Sequence, residues 1–107
     1  MDNLSTEKHE KQVFDYLKEM ASVCRELPNG DIIGTLTNTG SKWYEIHVSH
    51  PKTVKAYAER HHLLDVFSSR GDGDYPWEYS CRYGAVKVFC IMTDKAKEEY
   101  ESENLGD

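Results

Sequence analysis

Residues 77–92 restrict the possible folds of this chain more than any other stretch. Apolar and aromatic residues fall on every second position from Trp77 to Tyr83 and, after Gly84-Ala85, on every second position again from Val86 to Met92. Alternation with a period of two marks a strand with one buried face. Gly84 stands where a two-residue turn of the glycine-first kind needs a positive φ, so the two runs fold back on each other as a hairpin. That pairing sets Tyr83 against Val86, Cys81 against Val88 and Tyr79 against Cys90. One face carries Trp77, Tyr79, Cys81, Tyr83, Val86, Val88, Cys90 and Met92; the other carries Glu78, Ser80, Arg82, Lys87, Phe89 and Ile91. A slip of one residue would mix the two sets, which fixes the register. Two strands cannot bury such a face alone, so the rest of the chain must cover it.

The first cover is a helix. Ser5 or Thr6 caps it, Val13, Phe14, Leu17, Met20, Ala21, Cys24 and Leu27 form its apolar stripe, and Pro28-Asn29-Gly30 ends it. Residues 31–49 read as a second hairpin, with Asn38-Thr39-Gly40 as a three-residue loop. An odd loop puts Ile32, Gly34 and Leu36 on the core face with Tyr44, Ile46 and Val48. Ile33, Thr35, Thr37, Trp43, Glu45 and His47 then face outward, with Ile33 and Trp43 side by side. Pro51 opens a second helix behind Ser49 or His50. Val54, Tyr57, Ala58 and His61 are its inner stripe, extended by Leu64 and Phe67. A turn-rich loop of about nine residues, 68–76, leads into the central hairpin. Thr93 or Asp94 caps a short last helix over about 95–101.

The expected fold is therefore α+β, in the order helix, hairpin, helix, hairpin, helix. The simplest arrangement is one four-stranded antiparallel sheet with helices on one face; the alternative packs the two hairpins separately around the first helix. A length of 107 residues suits one domain, with 1–5 and 102–107 as frayed ends. With 30% charged and 38% hydrophobic residues, the chain belongs with ordinary globular domains rather than disordered ones. Its apolar runs are too short to span a membrane, and 1–4 do not resemble a signal peptide. Three cysteines without a close pair argue against a disulfide framework and for a cytoplasmic setting.

No constellation points to catalysis. There is no Gly-x-Ser-x-Gly elbow and no phosphate-binding glycine loop, and the cysteines lie on an apolar face where burial suppresses the thiolate. Neither His47 with His50, nor His61 with His62, nor Cys81 with Cys90 has the spacing of a zinc site. Asp72, Asp74 and Glu78 suggest calcium spacing, but the loop pattern is incomplete. Arg70-Gly71-Asp72 spells an adhesion tripeptide, yet Gly71 is explained by the turn. No metal or cofactor is expected.

A net charge of −6 without a dense basic cluster disfavours direct nucleic-acid binding. Arg82 and Lys87 facing each other on the outer sheet surface leave RNA as a third reading, unless Glu45 or Glu78 neutralises them. The aromatic content favours a protein partner instead, since seven tyrosines and two tryptophans exceed what one small core absorbs. The leading expectation is a non-enzymatic interaction module. It would bind through Ile33, Trp43, His47, Arg82 and Phe89 on the outer sheet surface and Arg70, Asp72, Asp74, Tyr75 and Trp77 on the loop. Small acidic domains of this size serve phages and mobile elements as inhibitors that occlude a host nucleic-acid-binding protein, which is an analogy of size and charge. The alternative is a small-ligand or nucleotide binder, a hydrolase among the options, with a pocket lined by His50, Tyr57, His61 and Tyr83. Exposed sheet edges or the Trp43 patch would also support a homodimer.

Overall fold

The alternation over residues 77–92 forms the hairpin it requires. Strand β4 (Trp77–Tyr83) pairs antiparallel with β5 (Val86–Met92), with Tyr83 against Val86, Cys81 against Val88 and Tyr79 against Cys90. Gly84 adopts a φ of 58° at the tip. The computed structural model describes residues 18–38 and 43–105, with the backbone alone at 37, 38, 43, 104 and 105. The other strands are β1 (Ile32–Asn38), β2 (Trp43–Val48) and β3 (Asp65–Ser69). The helices are α1, described over 18–26, α2 (Pro51–His61) and α3 (Asp94–Leu105).

The fold is α+β, but its sheet has five strands and is mixed. The order is β1-β2-β5-β4-β3, with β2 parallel to β5 and the other neighbours antiparallel. This corrects the expectation of four antiparallel strands and of alternating helices and hairpins. The chain leaves β2, crosses in α2 and runs through β3 and β4, so β5 arrives beside β2 pointing the same way. A parallel pair needs such a long crossover, which no local signal announces.

The added strand, β3, falls where the helical pattern was extended through Leu64 and Phe67. Instead α2 stops at His61, and His62 takes the left-handed conformation (φ 54°). Leu63 N–H closes on Ala58 C=O at 2.8 Å and His62 N–H on Glu59 C=O at 3.4 Å. That pair of bonds is the Schellman ending, made here without a glycine. Leu63 tucks against the core, Leu64 is 81% exposed, and Phe67 lies on β3 against Tyr79. The loop that follows β3 is accordingly shorter, residues 70–76.

The first hairpin also departs from expectation. Asn38 pairs with Trp43, so the connection is 39–42 rather than three residues, and it lies outside the described residues. Ile32 pairs with Val48 and so shares the core face with it, as expected, but the register slips by one between Ile32 and Gly34. Beyond that bulge Thr35 opposes Ile46, while Leu36 opposes Glu45 and is 58% exposed. Leu36 and Gly34 therefore belong to the outer face. Trp43 lies opposite Asn38, five positions along β1 from Ile33, roughly 16 Å away at strand rise. The two do not sit side by side.

All three helices cover the same sheet face. In α1 the buried residues are Met20, Val23 and Leu27, with Cys24 beside them, while Ala21 points to solvent. The expected cap and Val13, Phe14 and Leu17 lie outside the described residues. From α2, Val54, Tyr57 and Ala58 join them. Thr93 Oγ1 accepts from Ala96 N–H at 3.0 Å and caps α3, which sends Tyr100 into the core. These meet Tyr44, Ile46, Val48, Tyr79, Cys81, Val86, Val88, Cys90 and Met92. Tyr100 OH donates to Tyr79 OH at 3.0 Å, and Tyr79 OH donates to Asp65, so the buried phenols form a chain that ends on β3.

Candidate functional site

The face away from the helices carries the outward residues of every strand. Cross-strand register arranges them in rows, Leu36-Glu45-Lys87-Arg82 and Gly34-His47-Phe89-Ser80-Val66. Lys87 anchors the first row. Its ammonium lies 3.1 Å from Glu45 Oε1 and 3.1 Å from Glu78 Oε2, and 5.1 Å from the Phe89 ring centroid. Lys87 is only 9% exposed. The Arg82–Lys87 juxtaposition seen in the sequence exists, and two carboxylates balance Lys87.

In the second row, the His47 and Phe89 rings stack at 4.8 Å with planes 9° apart. Burial, together with the Arg70 charge, holds the His47 imidazole below its usual pKa, and Glu78 only partly opposes this. That direction favours the uncharged ring, and the stack is a flat aromatic plate. Leu36 (58% exposed) and Val66 (41%) flank the plate. A shallow hollow of about 240 Å³ lies between Gly34, Leu36, Glu45, His47 and Phe89.

The structure brings together some of the expected partner-binding residues and separates others. His47, Arg82 and Phe89 share the outer face, and Arg70 is close enough to act on His47. Ile33 is exposed at the bulge on the β1 edge. The Trp43 side chain lies outside the described residues. Asp72, Asp74 and Tyr75 are exposed on the loop. Trp77 instead faces the helices. Its indole N–H donates to Asp94 Oδ1 at 2.8 Å, and the Lys97 ammonium sits 4.4 Å from its ring centroid. That indole pins α3 to the sheet.

The alternative pocket is partly assembled. Tyr57, His61 and Tyr83 form an aromatic cluster, with His61 4.6 Å from Tyr57 and 5.1 Å from Tyr83. Glu26, from α1, completes it by accepting from His61 Nε2 at 2.8 Å. Burial and the Glu26 carboxylate push the Tyr57 hydroxyl well above its usual pKa. No spacing in the sequence links Glu26 to His61, 35 positions on; only the packing of α1 on α2 does so. His50 stands apart at the start of α2. It lines a separate cleft of about 600 Å³ between α2 and α3 with Asp31, Lys52, Glu99 and Glu103.

Among the described residues no cluster of three metal-ligating side chains occurs. Burial pushes the Cys81 thiol to about 11 and Cys90 to about 12, which disarms both as nucleophiles. No described helix is long and apolar enough to cross a membrane. Compared with protein-family models, curated proteins and solved structures, the chain gives no significant match.

Proposed function

We propose that this protein is a non-enzymatic interaction module whose outer sheet face receives a protein partner. One observation carries the reading: a stacked His47–Phe89 plate, flanked by exposed Leu36 and Val66, on a sheet face that no described helix covers. Such a sheet face usually alternates to polar residues, and rigid aromatic plates ringed by charge are what protein interfaces use as anchors. The Lys87–Glu45–Glu78 triad fixes the floor, so little order need be gained on binding. The net charge of −6 makes a basic partner the favoured one, including a nucleic-acid-binding protein that this domain would occlude.

The test is capture of the partner from the native host, followed by measured affinities of two variants. Leu36→Glu and Phe89→Ala should each weaken binding about tenfold or more, equivalent to about 1.4 kcal/mol. Unchanged affinity in folded variants would reject the surface.

A second reading rests on the Glu26–His61 pair. Glu26 holds the imidazole through Nε2 at 2.8 Å, beside the two phenols of Tyr57 and Tyr83. On this reading the cluster would hold a small ligand against the imidazole and the two phenols. A ligand-dependent activity abolished by His61→Gln, with Leu36→Glu silent, would favour it over the sheet-face reading.

A further inference from the structure

We infer that β3 is a self-association strand through which two copies of the chain join edge to edge. The inference stands on the sheet margin and is independent of the outer-face reading.

The sheet has two edges, β1 and β3, and they are not equivalent. The bulge between Ile32 and Gly34 breaks the β1 register, a device that blunts an edge against pairing. Strand β3 has no such break; all five of its residues pair in continuous register with β4. It contains neither proline nor lysine, and its one charged residue, Asp65, is engaged by the Tyr79 hydroxyl within the same copy.

The polarity of its backbone follows from one bond. Arg70 N–H donates to Pro76 C=O at 2.7 Å, directed toward β4. In an antiparallel ladder, hydrogen-bonding direction alternates along the strand. Val66 and Ser68 therefore bond inward with Arg70, and Asp65, Phe67 and Ser69 turn their N–H and C=O groups outward.

That outward row is self-complementary about a two-fold axis at Phe67. Antiparallel pairing of β3 with a second β3 sets Phe67 against Phe67, with both residues in the hydrogen-bonded position. It sets Asp65 against Ser69, an acceptor against a donor, and Val66 against Ser68. Leu64, 81% exposed, then lies against the Arg70 stem. Among the paired strand residues no like charges face each other in this register. The Lys97–Glu101 ion pair lies above the same edge, with Lys97 5.0 Å from the Phe67 ring centroid, so each copy offers both signs of charge there. The product is two five-stranded sheets joined into one. A five-residue strand buries less than a standard interface of about 1,600 Å², so the dimer is weak and concentration-dependent.

The test is sedimentation of the full chain over a wide concentration range, with amide exchange measured at both extremes. The expected result is a reversible monomer–dimer equilibrium, with the amides of Asp65, Phe67 and Ser69 protected only at high concentration. Leu64→Lys sets a lysine against Arg70 twice in the dimer and alters an exposed position in the monomer. It should raise the dissociation constant roughly tenfold, whereas Ile33→Lys on the β1 edge should leave it unchanged. A chain that stays monomeric throughout would overturn the inference. So would a dimer indifferent to Leu64→Lys, or one without concentration-dependent protection at Phe67.

Discussion

Replacing Lys87 with methionine tests how the outer face is held. Lys87 is 9% exposed and lies 3.1 Å from a carboxylate oxygen of each of Glu45 and Glu78, whose side chains are 19% and 18% exposed. At an effective dielectric near 20, each contact has a gross attraction of about 5 kcal/mol. Desolvation offsets most of that, but removing one member of a buried set leaves the others uncompensated, which costs about 3–5 kcal/mol. Residual solvent access to the two glutamates lowers the expectation here to about 2–4 kcal/mol. Methionine conserves the stem that crosses Phe89, so the loss is electrostatic. The assay is urea unfolding followed by far-ultraviolet circular dichroism, comparing midpoints at constant slope. At pH 7 Lys87→Met should lose this stability. The triple variant Lys87→Met, Glu45→Gln, Glu78→Gln should recover most of it, because the charges are then removed together. A single variant within about 0.5 kcal/mol of the parent, the ordinary range for surface changes, would refute the argument.

Further perturbations read other parts of the fold. Gly84→Ala forces a side chain into a φ of 58° and sets its Cβ against the Glu19 carboxylate, so it should cost about 1–2 kcal/mol by chemical unfolding. Tyr79→Phe breaks the chain from Tyr100 to Asp65 and strands a buried phenol, with an expected loss of about 1–3 kcal/mol measured the same way. Burial raises Cys81 to about 11 and Cys90 to about 12 from 9.0. The unfolded chain therefore binds fewer protons than the fold above pH 9, and stability should fall as pH rises from there through 12. A thermal midpoint that falls no more steeply between pH 8 and 11 in this chain than in Cys→Ala variants would contradict those shifts. At pH 8 both thiols should resist alkylation until the protein unfolds.

What the sequence reveals follows from how local each signal is. The central hairpin was legible because a strict alternation and one glycine determine every pair in it. The first hairpin was not, since Ile32, Gly34 and Leu36 alternate equally well in either register, and a bulge at Ile33 leaves no compositional trace. Strand β3 was concealed by a coincidence: Leu64 and Phe67 continue the three-residue spacing from His61, and α2 ends at a left-handed histidine rather than a glycine. The β2–β5 pairing depends on a crossover, so it has no local signature at all. The same limit holds for the site. Alternation placed His47 and Phe89 on one face, but their stacking needs the parallel register, and Glu26 meets His61 only through helix packing.

The most direct test of the sheet-face account is site-specific photo-crosslinking in the native host. A benzophenone side chain would replace Leu36 on the outer face, or Ala21 or Ala56 on the solvent side of α1 and α2. The account expects one protein to be crosslinked from Leu36 and not from either helix position. A partner crosslinked from the helices, with none from Leu36, would contradict it.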